Sequence, residues 1–362
     1  MPEKDRDKAS GITQPNGAMH PRRQPSIKDI ARLARVSHPT VSRALQNSPL
    51  VNAKTAAKIR RIAEDAGYRP SAVARGLVTR RTRTIGLVVT TINDPFAAEV
   101  ALGIEQAAND LGYSVFLANS GADPERERKV VQSLAERRVD GIVVTSSRVG
   151  AEYLPMLAEL KVPMVLVNDQ YPDQFVHCVM IENVEGCLAA TEHLIALGHR
   201  RIAYVGDRSG YHSNTERFTG YKQALATAGI QFDAELAFAG DGRPEAAIEA
   251  VNQLLGLRHP PTAICCYNDM TSLGALRAIR AHGLRVPEDI SVAGFDDLFF
   301  AAYLEPPLTT VRQPMRRMGQ MAVENLLKLM SGEGPVPQIR VKAELIVRGS
   351  TGKAKPDGRR QR

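Results

Sequence analysis

No stretch of the 362-residue chain approaches the roughly 20 consecutive apolar residues that span a bilayer. The opening, MPEKDRDKASG, is charged and lacks the apolar core of a secretory signal, which points to a cytoplasmic protein with no membrane partner. Cysteine is scarce. Cys265 and Cys266 sit together in an apolar run, Cys178 and Cys187 stand isolated, and none forms a CxxC pair, so all four are expected as reduced, buried apolar residues. The eight histidines are scattered without metal spacing, and no metal is expected. GxGxxG, GxxxxGK(S/T), GxSxG and HExxH are all absent, which removes the commonest signatures of dinucleotide, nucleotide-hydrolysis, acyl-transfer and zinc-protease chemistry. No cofactor is expected. Asp296 and Asp297 are adjacent and could form an acid/base pair, yet neighbouring acids at a strand end more often accept hydrogen bonds from a ligand. The chain does not read as an enzyme.

What is present is a chain long enough for two or three packed units, 43% hydrophobic, with a net charge of +8 that is unevenly spread. Between Arg22 and Arg83, fifteen Lys/Arg face three Asp/Glu. From Lys353 to the end, five basic residues face one acid, and between Thr84 and Gly352 acids exceed bases by eight. A strongly basic small unit attached to an acidic large one suggests a polyanion-binding head on a soluble body.

The basic unit reads as three short helices. Ser26 with Asp29 three residues on is a capping-box pattern, followed by Ile27, Ile30, Ala31 and Ala34 on one face. SHPTVSRALQ is the second helix: Ser37 is a good N-cap, Pro39 lies in the first turn, and Val41, Ala44 and Leu45 pack inward. A third helix starts after Asn52, packs through Ile59, Ile62, Ala63 and Ala66, and stops at Gly67 before Pro70. Only Arg35, Val36 and Ser37 separate the first two helices, the compact arrangement of a helix-turn-helix. The second helix of such a motif enters the major groove by its N-terminal end. Its outward residues then have chemistry to match: Arg43 can contact guanine bidentately, Gln46 can pair with adenine, and Ser37, Thr40 and Ser42 can hold phosphates. The bland alternative is a small three-helix bundle that binds nothing. After Pro70, SAVARGL (71–77) is too short for a stable isolated helix, and TRRTRT (79–84) reads as a basic linker.

From Thr84 onward, apolar runs alternate with amphipathic helical stretches. Eight strands are expected: 84–90, 114–119, 141–146, 164–168, 178–183, 201–206, 263–268 and 290–295. The alternation argues for parallel α/β sheets, and eight strands suit two lobes better than one wide sheet. Ligands of open α/β sheets sit beyond the carboxyl ends of the strands. Polar residues gather there: Asn93 and Asp94, Ser146 and Ser147, Asn268 and Asp269, Asp296 and Asp297.

At this point the residues carry a family likeness. SIKDIARLARVSHPTVSRALQNSPLVNAKTAAKIRRIAEDAGYRPSAVARGL resembles the DNA-binding head of the LacI/GalR family of bacterial transcription regulators. TIGLVV, NDPFAAEV, HLIALGHRRIAYVGD, RFTGYKQAL, NDMTSLGALRAIRAHGLRVPEDISVAGFDD and PPLTTVRQP resemble its effector domain, so the likeness runs from about Pro25 to Ser350. The resemblance implies an all-α helix-turn-helix head followed by an α/β, two-lobed effector domain of the type I periplasmic-binding-protein kind. The head is expected over 25–79 with a hinge helix at 71–77, a linker over 80–84, and the effector domain over 85–350. Its lobes would be discontinuous, 84–181 with 313–341 and 182–312 with 342–350, between disordered ends at 1–24 and 351–362.

The resemblance also implies roles. His38, Pro39 and Arg43 fall on base-reading positions; Ser37, Ser42, Asn52, Lys54 and Thr55 fall where phosphates are held, and Tyr68 packs near the DNA backbone. Ala74 and Leu77 match the hinge helix, whose leucine wedges into the minor groove. Arg217, Asn268 and Asp296 match ligand positions in the cleft, with Asp94, Phe96, Ser147 and Gln313 on flanking ones. Three residues depart from the pattern. Arg35 stands where the family usually has a left-handed glycine, Pro39 can offer DNA only an apolar contact, and Gly242 stands where an aromatic platform is common. The function implied is a ligand-controlled repressor, a homodimer and in some members a tetramer, that binds a pseudo-palindromic duplex operator and a small polar effector such as a sugar or sugar acid. The competing reading is a periplasmic-type solute-binding protein without regulatory role.

Overall fold

The computed structural model describes residues 25–69, 81–169 and 177–355. The chain divides into two compact units, the boundary falling between Arg80 and Arg81.

The first unit is built from α1 (Ile27–Ala34), α2 (His38–Leu45) and α3 (Ala53–Asp65). The capping box closes the start of α1: Ser26 N donates to Asp29 Oδ2 at 2.9 Å, and Asp29 N donates to Ser26 Oγ at 3.3 Å. Arg35 ends the helix in the left-handed region (φ 56°, ψ 45°), which turns the chain so that Val36 N reaches Ala31 O at 3.0 Å. Ile30, Ala34, Val41, Ala44, Ile59 and Ala63 meet in one small core.

The second unit carries two six-stranded sheets. The first holds β1 (Thr84–Val89), β2 (Ser114–Asn119), β3 (Gly141–Thr145), β4 (Met164–Val167), β5 (Cys178–Ile181) and β11 (Ile339–Val341), in the order β11-β5-β4-β3-β1-β2. The second holds β6 (Ile202–Asp207), β7 (Ala237–Gly240), β8 (Ala263–Cys266), β9 (Ser291–Asp296), β10 (Thr309–Arg312) and β12 (Glu344–Ile346), in the order β12-β10-β9-β8-β6-β7. Pairing is parallel except between β10 and β12. The inner strands are buried along their whole length, as expected when helices cover both faces.

Covering helices are α4 (Pro95–Asp110), α5 (Pro124–Glu136), α6 (Tyr153–Leu160), α7 (Asn183–Ala196), α8 (His212–Thr227), α9 (Pro244–Leu255), α10 (Asp269–Ala281) and α11 (Met315–Ser331). Helices α4 and α11 touch backbone to backbone. A Cβ at Gly103 would sit 2.1 Å from Arg316 O, and one at Gly319 would sit 2.3 Å from Val100 O. The chain passes between sheets three times, from β5 into α7, from β10 into α11, and from β11 into β12.

Several expectations need correction. The sequence shows eight strands, whereas twelve occur among the described residues; β7, β10, β11 and β12 are short and lack long apolar runs. Residues 81–84 are not a free linker. Thr82 N and Arg83 N donate to the two carboxylate oxygens of Asp140 at 2.7 and 2.9 Å, and Thr84 already belongs to β1. Residues 351–355 are ordered rather than a solvated tail: Gly352 O faces His199 Nε2 at 3.0 Å, Ala354 N donates to Leu197 O at 2.8 Å, and Lys355 pairs with Asp289. The expected hinge helix 71–77, with Ala74 and Leu77, lies outside the described residues, as do 1–24 and 356–362.

Candidate functional site

The carboxyl ends of both sheets open into one cleft of about 1050 Å³. Asn93 and Asp94 reach it after β1, Ser146 and Arg148 after β3, and Ser209 and Tyr211 after β6. Gly242 and Arg243 line it after β7, Tyr267 and Asn268 after β8, Asp296 at the end of β9, and Gln313 after β10. This is where open α/β sheets hold ligands.

Arg217 anchors the floor. It projects from α8 and is only 3% exposed. Its guanidinium lies 3.7 Å from the centroid of Phe295 and 4.7 Å from that of Tyr267, a cation–π stack in a desolvated setting. Nε donates to Asn183 Oδ1 at 2.9 Å and Nη1 to Tyr267 O at 2.7 Å, so two of its five N–H donors hold the side chain in place. Asp296 Oδ1 lies 3.7 Å from Nη1 and accepts from Gln313 Nε2 at 2.6 Å. Burial raises the Asp296 carboxyl from 3.8 to about 7; Arg217 and the Gln313 bond pull it down, while the charge of Asp94 pushes it further up. Gln313 Oε1 is buried with no partner among the described residues. The floor therefore offers a fixed cation beside an acceptor, the combination that grips adjacent hydroxyl groups.

The remaining expected ligand residues behave differently from one another. Asp94 caps α4 by accepting from Phe96 N at 3.0 Å, and burial raises its pKa. Phe96 is packed into the core and also lines the cleft. Asn268 lines the cleft with both ends of its amide engaged, accepting from Thr271 N at 2.8 Å and donating to Gly242 O at 3.1 Å. Ser147 is a correction. It is fully buried away from the cleft, and its hydroxyl donates to Glu127 Oε1 at 2.6 Å. The reason is backbone parity: Ser146 adopts φ 50°, which breaks the strand alternation and turns Ser147 inward, leaving Ser146 and Arg148 on the cleft. Asp269 and Asp297 also turn away. Asp269 accepts from Thr310 Oγ1 and Leu298 N, and Asp297 pairs with Arg312 and Arg348.

Arg148, Tyr211, Tyr267 and Asp207 line the cleft and were not singled out from the sequence. Their only signal was position, each lying at or just past the carboxyl end of a strand. Gly242 takes φ +75°, and a Cβ there would meet Asn268 and Tyr267 at 3.4 Å and Asp207 at 3.5 Å, so this position has little room for a larger side chain. Among the described residues, no cluster of three or more His, Cys, Asp or Glu could hold a metal. Cys187 is not isolated in space: its Sγ lies 3.7 Å from that of Cys265.

In the head, α2 displays the expected side chains. His38, Pro39, Arg43 and Gln46 are exposed, while Thr40 and Ser42 are half-buried. Ser37 Oγ caps α2 by accepting from Thr40 N at 3.4 Å and shares a 2.8 Å contact with Thr40 Oγ1, so these two hydroxyls partly satisfy each other. Asn52 caps α3 through Lys54 N at 2.9 Å, and Lys54 and the half-buried Thr55 fill its first turn. Tyr68 is half-buried against the head core, which raises its phenol pKa.

Comparison with known proteins follows this geometry. The family model of bacterial regulatory proteins, lacI family, matches residues 26–71, and that of a periplasmic binding protein-like domain matches residues 191–351. The chain is 37% identical over 328 residues to the HTH-type transcriptional repressor PurR of Photobacterium profundum, spanning 90% of this chain and 98% of that one. It is also 37% identical over 328 residues to the HTH-type transcriptional regulator RegA of Clostridium saccharobutylicum, spanning 90% and 99%. Among solved structures, the Lac repressor dimer bound to operator and the anti-inducer ONPF superposes with a TM-score of 0.83 at 28% identity, over 91% of this chain and 99% of that one. The complex of the transcriptional regulator CelR with cellobiose gives 0.67 at 34% identity, over 90% and 99%.

Proposed function

Because the chain belongs to the lacI family of bacterial regulatory proteins, we propose that it is a dimeric repressor whose hold on an operator is set by a neutral, hydroxyl-rich effector in the cleft. Its partners are duplex DNA, a small molecule and a second copy of itself. Members of this family regulate transcription rather than catalyse, and the cleft is read as a site that binds without turnover. Among the described residues no helix is long and apolar enough to cross a membrane, in keeping with work on DNA in the cytoplasm.

The observation that carries the effector reading is the Arg217–Asp296 pair, cation and acceptor 3.7 Å apart on the floor of the cleft. A sugar acid is the weaker candidate. Arg217 spends its Nε hydrogen and one Nη1 hydrogen on holding itself in place, and Asp296 beside it competes for what remains, so a carboxylate would meet a cation already partly satisfied. The lining also carries Asp94, Asp207, Asp241, Glu245 and Asp296 against Arg148, Arg217 and Arg243, an excess of acid that disfavours an anionic ligand. Gly242 supplies no ring, and the cleft's Tyr211 and Tyr267 rings already face the guanidinium groups of Arg148 and Arg217, so hydrogen bonds rather than stacking should dominate recognition. On the DNA side, His38, Pro39, Arg43 and Gln46 are read as facing bases. Ser37, Thr40, Ser42, Asn52, Lys54 and Thr55 are read as facing phosphates, with Tyr68 beside them.

Control requires that the effector bind one conformation more tightly than the other. The experiment is selection of a random duplex library by the purified chain, repeated with neutral and acidic sugar pools. Enrichment of a palindromic site whose occupancy responds to the neutral pool supports the reading. Enrichment that responds only to the acidic pool refutes the effector class, and no enrichment under any pool refutes the operator reading.

A further inference from the structure

We propose that Arg148 straps the two lobes together across the cleft, and that the buried Glu127 is the positioning residue that aims it. Arg148 leaves the first sheet just after β3. Its Nη2 donates to Ser209 O at 2.8 Å, and its guanidinium lies 4.2 Å from the centroid of the Tyr211 ring. Ser209 and Tyr211 belong to the loop between β6 and α8, in the other lobe. No acid of the described residues pairs with Arg148, and its Nε is buried without a partner, so what holds this cation is a carbonyl and a ring from across the cleft. A second bridge, Arg340–Glu216 at 3.3 Å, leaves from β11, beside the point where the chain itself crosses to β12. Arg148 acts elsewhere, since β3 lies three strands along the sheet from β11.

Glu127 explains why Arg148 points that way. Its side chain is fully buried on α5, where an uncompensated carboxylate is costly. The cost is offset by a dense set of donors. Oε1 accepts from Ser147 Oγ and Tyr153 OH, both at 2.6 Å, and Oε2 accepts from Arg148 N at 3.3 Å. Ser147 Oγ in turn accepts from Val149 N at 3.2 Å and Gly150 N at 3.4 Å. The turn from which Arg148 projects is therefore fixed at both ends by one buried group, and a pre-set backbone lets a long side chain reach across without searching.

The strap is tested without any effector. Lys129→Cys on α5 and Glu249→Cys on α9 place one exposed thiol on each lobe for a donor and an acceptor dye, and the four native cysteines are buried and should not label. In the full-length, effector-free chain, Arg148→Ala and Tyr211→Leu should each lower the transfer efficiency as the lobes part. Glu127→Gln keeps an oxygen for Ser147 and Tyr153 but loses the acceptor for Arg148 N–H, and should lower it too. Added to Arg148→Ala, Glu127→Gln should produce no further drop, because it acts only through that side chain. Unchanged efficiency in both Arg148→Ala and Tyr211→Leu overturns the strap. Additive drops in the double variant overturn the positioning role and leave Glu127 a general stabiliser. Should Glu127→Gln fail to fold, Ser147→Ala makes the same comparison. The proposal rests on the effector reading only for its consequence, and failure of that reading looks different: no sugar would shift transfer in the unsubstituted chain.

Discussion

Replacing Asp296 by asparagine is expected to make the chain more stable at pH 8 while removing the negative charge, and one of two acceptor oxygens, from the cleft floor. The magnitude follows from the carboxyl being raised from 3.8 to about 7 by burial. Each pKa unit is worth about 1.4 kcal/mol. A raised acid keeps its proton in the folded chain to a higher pH than in the unfolded chain. Its contribution is thus neutral below about pH 4, grows unfavourable as pH climbs toward 7, and is constant above that. The full span is roughly 4 kcal/mol, of which about 3 kcal/mol falls between pH 5 and pH 8. Asparagine has nearly the same shape and no proton to lose, so the variant should escape this decline.

The assay is urea unfolding at pH 5 and pH 8, at one protein concentration because the family forms dimers. The stability gain of Asp296→Asn over the unsubstituted chain should be larger at pH 8 than at pH 5 by up to about 3 kcal/mol. An equal difference at both pH values would refute the argument, as would a variant that weakens on going to pH 8. Either result would mean that Arg217, 3.7 Å away, compensates the buried charge in full. Function should move the other way. If the ionised carboxylate is what accepts the effector hydroxyl, affinity in the unsubstituted chain should fall about tenfold per pH unit below 7 and level off above it.

Arg43→Ala should cost about 1–3 kcal/mol in operator binding and relax preference at a single base position, read by binding to a set of single-base operator variants. A uniform loss across all variants would reassign Arg43 to phosphate. Arg35→Gly relieves a left-handed residue that carries a Cβ, worth about 1–2 kcal/mol, against about 0.5–1 kcal/mol for the freedom glycine gains when unfolded. Slower hydrogen exchange of head amides in the full-length chain is the expected result, and faster exchange would show that the arginine side chain contributes more than its backbone costs. Gly319→Ala drives a methyl to within 2.3 Å of Val100 O, which should destabilise the second unit by about 1–3 kcal/mol or more in urea. Wild-type stability in that variant would mean that α4 and α11 can separate without loss.

The parts of this molecule that could be read in advance are those whose partners lie a few residues away. Ser26 and Asp29 close a capping box across three residues, and Ser37, Pro39 and Asn52 announce helix starts within one turn, so the head was legible from local chemistry. The inner strands were legible because burial on both faces demands unbroken apolar runs. TTVR of β10 broke that rule, since Thr309 and Thr310 are buried with their hydroxyls bonded inside the protein, and nothing local marks a threonine as paired. The cleft floor was legible only through the family likeness, because Arg217 and Asp296 are 79 positions apart. Ser147 was misplaced by one residue of backbone parity, set by the positive φ of Ser146, and the same slip hid Arg148. Glu127 was invisible for a stronger reason. In PERERKVVQSLAE it is one acid among several on a charged helix, and only the fold places two hydroxyls and a backbone N–H against it. The tail after Ser350 makes the same point in reverse: its basic composition argues for solvation, yet its order comes from backbone groups of Gly352 and Ala354, which composition does not describe.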